Sequence, residues 1–339
     1  MIGLWLQFLA CAGVIVGAGV FLVKFGDAIA ERTGLGQLWA GAILVASATS
    51  LPELFTGVSS VLLFDVPDLA VGTLLGSCVV NLVLLAVLDL LSGKRSYFDG
   101  VNPAYIVEAA FGLVLIVLVA LGLFLSDAFA GFPWAWPGSL LVPVVYVFGV
   151  RITLREGRYP PYVQDLETHK GGGSDAVKPK SLPTLKQAVI GYVISAAFVI
   201  AASLWLPGVA GEIAERTGIG TTVIGGVLVA LTTSLPEIVT TVAAFRIGAA
   251  DMAFSNVIGS NMFNIFILAV DDFLYFKGPI TSGVSGAQLA SALIAIGMTG
   301  TVIAALAMRT QRKFLKLSAA SWVLIAGLVL NVVCISLLP

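Results

Sequence analysis

The sequence predicts an all-α polytopic membrane protein of ten transmembrane helices, built as two inverted five-helix repeats. Three observations carry that expectation: an apolar composition, ten apolar runs of bilayer length, and a duplicated acidic motif. Of the 339 residues, 58% are hydrophobic and only 11% are charged. A water-soluble fold of this length would have to wet too much of that apolar surface. Runs of about 20 apolar residues cross a bilayer as helix. They are continuous, without the alternation of lipid-facing strands, which argues against a barrel.

The spans read, in order, 2–23, 38–63, 68–91, 104–125, 131–150, 186–207, 220–245, 251–270, 283–307 and 318–338. No Lys or Arg precedes the first, and its counterpart at 186–207 lies mid-chain, so it is structural rather than a signal peptide. With the N-terminus outside, Arg216 and Lys277 alone among the 18 basic residues fall on the outer side. The positive-inside rule therefore places both termini outside and the segment 151–185 in the cytoplasm, in a cell (inner) membrane. Net charge near zero gives no hint of nucleic acid. Cys11, Cys78 and Cys334 all lie in apolar spans and are expected as free thiols, with no zinc spacing.

Residues 31–53 and 215–237 match at 14 of 23 positions at a constant offset of 184. The likeness continues from Asp68, Gly76, Ser77 and Asn81 to Asp251, Gly259, Ser260 and Asn264. The chain is duplicated. Residues 1–150 form one repeat and 186–339 the other, joined by a linker rich in Pro and Gly. The only histidine, His169, falls in that linker and is expected to be a solvated bystander. Five spans per half force the second copy to enter the membrane upside down. Inverted repeats place substrate sites near the midplane, beside interrupted helices.

Glu53 and Glu237 fall mid-span at equivalent places in the two repeats, with no Lys or Arg inside any span nearby. A carboxylate at that depth is expensive and marks a function by default. The missing counter-charge is most simply a bound cation. On helical spacing Ala46, Thr49, Ser50 and Glu53 share one face, as do Ala230, Thr233, Ser234 and Glu237. Pro52 and Pro236 remove N–H donors, free the carbonyls of Ala48 and Thr232, and bend the helix. Ser77 with Asn81, and Ser260 with Asn264, add further oxygens at i,i+4. An all-oxygen set with two carboxylates suits calcium, and sodium can use the same oxygens. The plainer alternative is that these hydroxyls only join helices, as single Ser-rich helices often do.

Thr49-Ser50-Leu51-Pro52-Glu53 and Thr233-Ser234-Leu235-Pro236-Glu237, each followed by Gly-Ser-x-x-x-Asn, resemble the α-repeats of the cation/calcium antiporter superfamily. The likeness is strongest to its sodium/calcium exchanger branch, of the prokaryotic type without a long regulatory domain. That resemblance implies calcium held chiefly by Glu53 and Glu237. It implies sodium or calcium at Thr49, Ser50, Ser77, Thr233, Ser234 and Ser260 and at the carbonyls of Ala46 and Ala230. Asn81 and Asn264 would complete the centre, and spans 2–23 and 186–207 would move as a pair. Ala48 and Thr232 replace the usual Gly, Cys78 a common Asn, and Asn264 the Asp of the potassium-dependent branch.

The implied function is exchange of Na+ for Ca2+ by alternating access, in a monomer without a cofactor. A proton/calcium exchanger and a passive cation channel are the alternatives. An enzyme is disfavoured: there is no HExxH, no catalytic Ser–His pair and no histidine within a span.

Overall fold

The computed structural model describes residues 1–34, 39–63, 65–129, 131–156, 183–217, 233–308 and 312–338. Ala230, Thr232 and most of the linker, His169 included, lie outside the described residues. The fold is mostly helical. Among the described residues, seven helices are long and apolar enough to cross a membrane, or eight when one bent pair is taken as a single span.

Helices α1 (Ile2–Thr33) and α7 (Leu185–Thr217) are 32 and 33 residues long and pack along each other. Both run past the expected spans 2–23 and 186–207. Charged residues such as Lys24 and Glu212 mark the end of an apolar layer, not of a helix. At about 1.5 Å per residue, each rod is longer than the ~30 Å hydrocarbon layer. The two meet closely: a Cβ on Gly191 would lie 2.5 Å from the Phe25 ring. Arg32 Nε donates to the Pro183 carbonyl at 3.2 Å.

The next span is broken. Helix α2 (Ala40–Thr49) opens as a π-helix over Ala40–Val45 and leads into α3 (Leu51–Leu62) at an angle of 45°. Then follow α4 (Pro67–Leu91), α5 (Tyr105–Phe124) and α6 (Leu141–Glu156). The expected span 131–150 is corrected here, because a 3-10 turn at Pro137–Leu140 leads into α6 and helix does not begin before Pro137. Proline is tolerated only in a helix's first turn, so Pro133 and Pro137 keep the start of that segment out of helix. In the second half come α8 (Leu235–Arg246), α9 (Ala250–Leu274), α10 (Gly286–Met308) and α11 (Ala319–Leu337). The expected span 220–245 is described only from Thr233 on.

A small hairpin departs from the all-α expectation. Lys313–Phe314 pairs antiparallel with Leu317–Ser318. Leu315 and Lys316 take φ of 51° and 69°, the left-handed conformation a two-residue hairpin turn needs.

Helices α4 and α9 form the centre: 67% and 83% of their most apolar stretches are buried, against 22% for α1 and α11. The outer helices show large apolar side chains outward, among them Leu6, Phe21, Phe124, Val144 and Leu337. That is the surface a helix presents to lipid. Backbones touch where α2 crosses α9. A Cβ on Gly259 would lie 2.7 Å from Ala42 Cα, and one on Gly41 would lie 2.6 Å from the Met252 carbonyl oxygen. Only glycine permits such an approach.

Two aspartates tie the halves together in matching ways. Asp89 accepts from Tyr97 N at 2.9 Å, from Ser318 N at 2.7 Å and from Ser321 Oγ at 2.6 Å. Asp272, one repeat later, accepts from Ile280 N at 2.7 Å, from Trp136 N at 2.9 Å and from Ser139 Oγ at 2.5 Å. Each carboxylate thus caps the loop that follows it and the start of a helix distant in sequence, α11 for Asp89 and α6 for Asp272. Asp89 also meets Lys313 at 3.2 Å, delivered by the hairpin.

Candidate functional site

The site begins with two helix breaks of the same shape. Ser50 (φ −90°, ψ 6°) separates α2 from α3, and Ser234 (φ −84°, ψ 1°) precedes α8. A proline follows two residues later in each case, where it cannot donate to the preceding turn. Glu53 and Glu237 therefore sit in the first turns of α3 and α8, at the positive ends of those helix dipoles. Each carboxylate faces its own backbone N–H. The carbonyl end of α2, at Thr49, supplies the opposite polarity.

The structure brings the two acids together. Glu53 is 1% and Glu237 2% exposed, and they are near enough for their charges to interact. Ser50 Oγ, from the first repeat, donates to Glu237 Oε1 of the second at 3.2 Å. Thr49 lies beside Glu237 as well. No ion pair among the described residues involves either glutamate: the three that occur are Arg216–Glu212, Lys277–Asp65 and Lys313–Asp89. Among the described residues, both Glu53 side-chain oxygens and Glu237 Oε2 lack a hydrogen-bonding partner beyond their own amides. Buried polar groups are nearly always paired, so such a concentration of bare oxygens is unusual.

The remaining expected residues among those described are all buried. Ser77 Oγ, Ser234 Oγ, Ser260 Oγ and Asn81 Oδ1 are further oxygens without a partner among the described residues. The Asn264 amide lies beside the Cys78 thiol, and Cys78 is close enough to Glu53 to feel its charge. Thr233 is buried at the head of the second break. The Ala46 carbonyl is already engaged, accepting Ser50 N at 3.0 Å and Thr49 Oγ1 at 3.1 Å. A cation there would displace the Thr49 hydroxyl. Among the described residues, no group of three or more His, Cys, Asp or Glu side chains is gathered. The hydroxyls that the structure sets directly against this pair of acids are those of Ser50 and Thr49, both at Glu237.

Asn261 is a residue the sequence reading passed over. Its Oδ1 accepts from Asn81 Nδ2 at 3.1 Å, and its Nδ2 donates to the Cys78 carbonyl at 3.1 Å. Asn261 and Cys78 occupy the same place in the two repeats, so the repeats touch here through equivalent positions. The available signal was Gly-Ser-Asn in one copy against Gly-Ser-Cys in the other. Asn256 was passed over too; its Nδ2 donates to Thr240 Oγ1 at 3.2 Å and to Thr241 Oγ1 at 2.8 Å, fixing α9 to α8. The three cysteines are free, as expected.

Comparison with known proteins gives the same frame. The family model described as "Sodium/calcium exchanger protein" matches residues 3–155 and 187–273. The sodium/calcium exchanger MaX1 of Methanosarcina acetivorans is 28% identical over 282 residues, spanning 75% of this chain and 78% of that one. The putative antiporter CaxA of Alkalimonas amylolytica is 27% identical over 261 residues, 77% of each chain. A solved structure of the sodium-calcium exchanger NCX_Mj, soaked with 10 mM Na+ and zero Ca2+, aligns over 100% of both chains. Its TM-score is 0.72 at 21% identity, a likeness of fold.

Proposed function

Because this chain belongs to the sodium/calcium exchanger protein family, whose members are membrane transporters and not enzymes, we propose that it exchanges Na+ for Ca2+ by alternating access. The observation that carries this reading is the pair Glu53 and Glu237, side by side, buried, and without a basic partner among the described residues. Burying one carboxylate costs several kcal/mol, and two facing each other add their repulsion. A divalent cation between them offsets both costs.

The architecture we assign to this function is ten helices in two inverted halves, 1–150 and 186–339, joined by a cytoplasmic 151–185. Both termini lie outside a cell membrane, and one chain is the working unit. The matching anchors at Asp89 and Asp272, and the contact between Cys78 and Asn261, support the internal symmetry. In this reading Glu53 and Glu237 bind Ca2+. Thr49, Ser50, Ser77, Thr233, Ser234, Ser260 and the carbonyls of Ala46 and Ala230 serve the same ion or the sodium ions that replace it. Asn81 and Asn264 close the set. The paired rods α1 and α7 lie against α8 and α2, respectively, and their sliding would open the cavity to one side and then the other. An empty site leaves two unscreened charges that oppose closure, so crossing requires an occupant. Shared oxygens then make the traffic an exchange.

Calcium uptake into proteoliposomes with sodium, potassium or pH gradients imposed singly tests the proposal. Uptake driven by a sodium gradient alone is expected. Uptake driven by a pH gradient without sodium would make protons the counter-ion, and flux without any counter-ion would make the protein a channel.

A further inference from the structure

The proposed centre leaves another buried carboxylate unexplained. Asp271 is fully buried in α9, and neither of its oxygens has a hydrogen-bonding partner among the described residues. Its neighbour Asp272 shows the contrast, since three donors hold it. Nor does the basic residue nearest in sequence serve Asp271: Lys277 is paired with Asp65. Asp271 instead lies against Gly57 of α3, where an added Cβ would come within 2.1 Å of Oδ2. The gap left by a missing side chain is filled by a bare carboxylate.

Its place in the fold is specific. Gly57 lies one turn beyond Glu53 on α3, about 6 Å along the axis. Asp271 lies two turns beyond Asn264 on α9, about 10 Å along its axis and on the same face. The seam between α3 and α9 thus runs from Glu53 and Asn264 to Gly57 and Asp271, away from the centre. In the proposed topology that direction is outward. The repeat-equivalent positions carry Thr241 and Leu88, so the inner seam has no such acid. The asymmetry is confined to one side of the membrane.

We infer that Asp271 is a second cation-binding carboxylate, on the outer approach to the Glu53–Glu237 centre, for the same sodium and calcium ions. It holds the ion between the outer face and the centre and passes it one turn inward. A carboxylate on the path raises the local cation concentration and lowers the cost of shedding water before the main site is reached. Gly57 is required because any side chain there would occupy the carboxylate's position. This inference rests on the proposed antiport for its sidedness, but not for the existence of the site.

Two measurements test it. The first needs no transport. Equilibrium binding of radioactive calcium to the purified Glu53→Gln/Glu237→Gln protein should retain one weak site, and adding Asp271→Asn should remove it. Identical binding with and without Asp271→Asn would overturn the inference, whatever becomes of the antiport reading. The second measures initial rates in oriented vesicles with both glutamates intact. Asp271→Asn should raise the external half-saturating calcium about tenfold, the scale of one charge partly shielded from water, while the internal value and maximal rate stay within about twofold. Gly57→Ala should give the same one-sided shift with Asp271 chemically intact. Equal effects on both faces, or none on either, would show Asp271 to be a structural acid.

Discussion

Glu53→Gln is expected to reduce sodium-driven calcium flux to the background of protein-free liposomes, a loss of at least about a hundredfold. The substitution keeps shape and one oxygen but removes a full charge from the ion. Calcium binding by neutral and anionic oxygens depends on the number of charges in the set, and this set holds two. Glu237→Gln should act alike, though its amide can still accept from Ser50. Neither change should harm folding, because each removes a buried charge that no basic group among the described residues balances. Tracer uptake together with a monodisperse elution profile would check both halves of the prediction. Normal flux in either variant would remove the pair from the mechanism.

Asp89→Ala should instead destabilise the fold, by about 3–5 kcal/mol, the usual cost of stripping one partner from a buried, hydrogen-bonded ion pair. It would leave Ser96 Oγ, Tyr97 N, Ser318 N and Ser321 Oγ without their acceptor, and the Lys313 ammonium without its carboxylate. The side chains involved are at most a few per cent exposed on the Asp89 and Lys313 sides, 0% and 7%, so water does little to replace the lost bonds. A fall in the thermal unfolding midpoint in detergent would report it. The calcium half-saturation of whatever folded protein remains should be unchanged, since Asp89 is distant in sequence and role from the paired glutamates.

The centre was legible because its signal is local and repeated. A glutamate in an apolar run, a proline before it and hydroxyls on one face are visible in a single window, and a second copy repeats them. That the copies meet could be expected from inverted duplication. The bond from Ser50 to Glu237 could not, since it depends on how two breaks face each other across 187 positions.

Asp89 and Asp272 carry no such local signal. Their partners come from the far side of the chain, and no sequence window contains both. Asp271 escaped notice for the same reason, as its meaning comes from Gly57. Hydropathy also misjudged helix ends: α1 continues to Thr33 and α7 to Thr217 because backbone hydrogen bonding does not stop where the lipid does. Conversely, the turn that begins at Pro137 delays α6 to Leu141, inside a run that looked apolar throughout.

The most direct test of the paired site is calcium binding to the purified protein at equilibrium, titrated with sodium. One calcium of high affinity is expected, displaced cooperatively as sodium rises, and lost alike when either Glu53 or Glu237 becomes glutamine. Retention of that calcium in the double glutamine variant, or its indifference to sodium, would mean that the two halves do not build a shared exchange site.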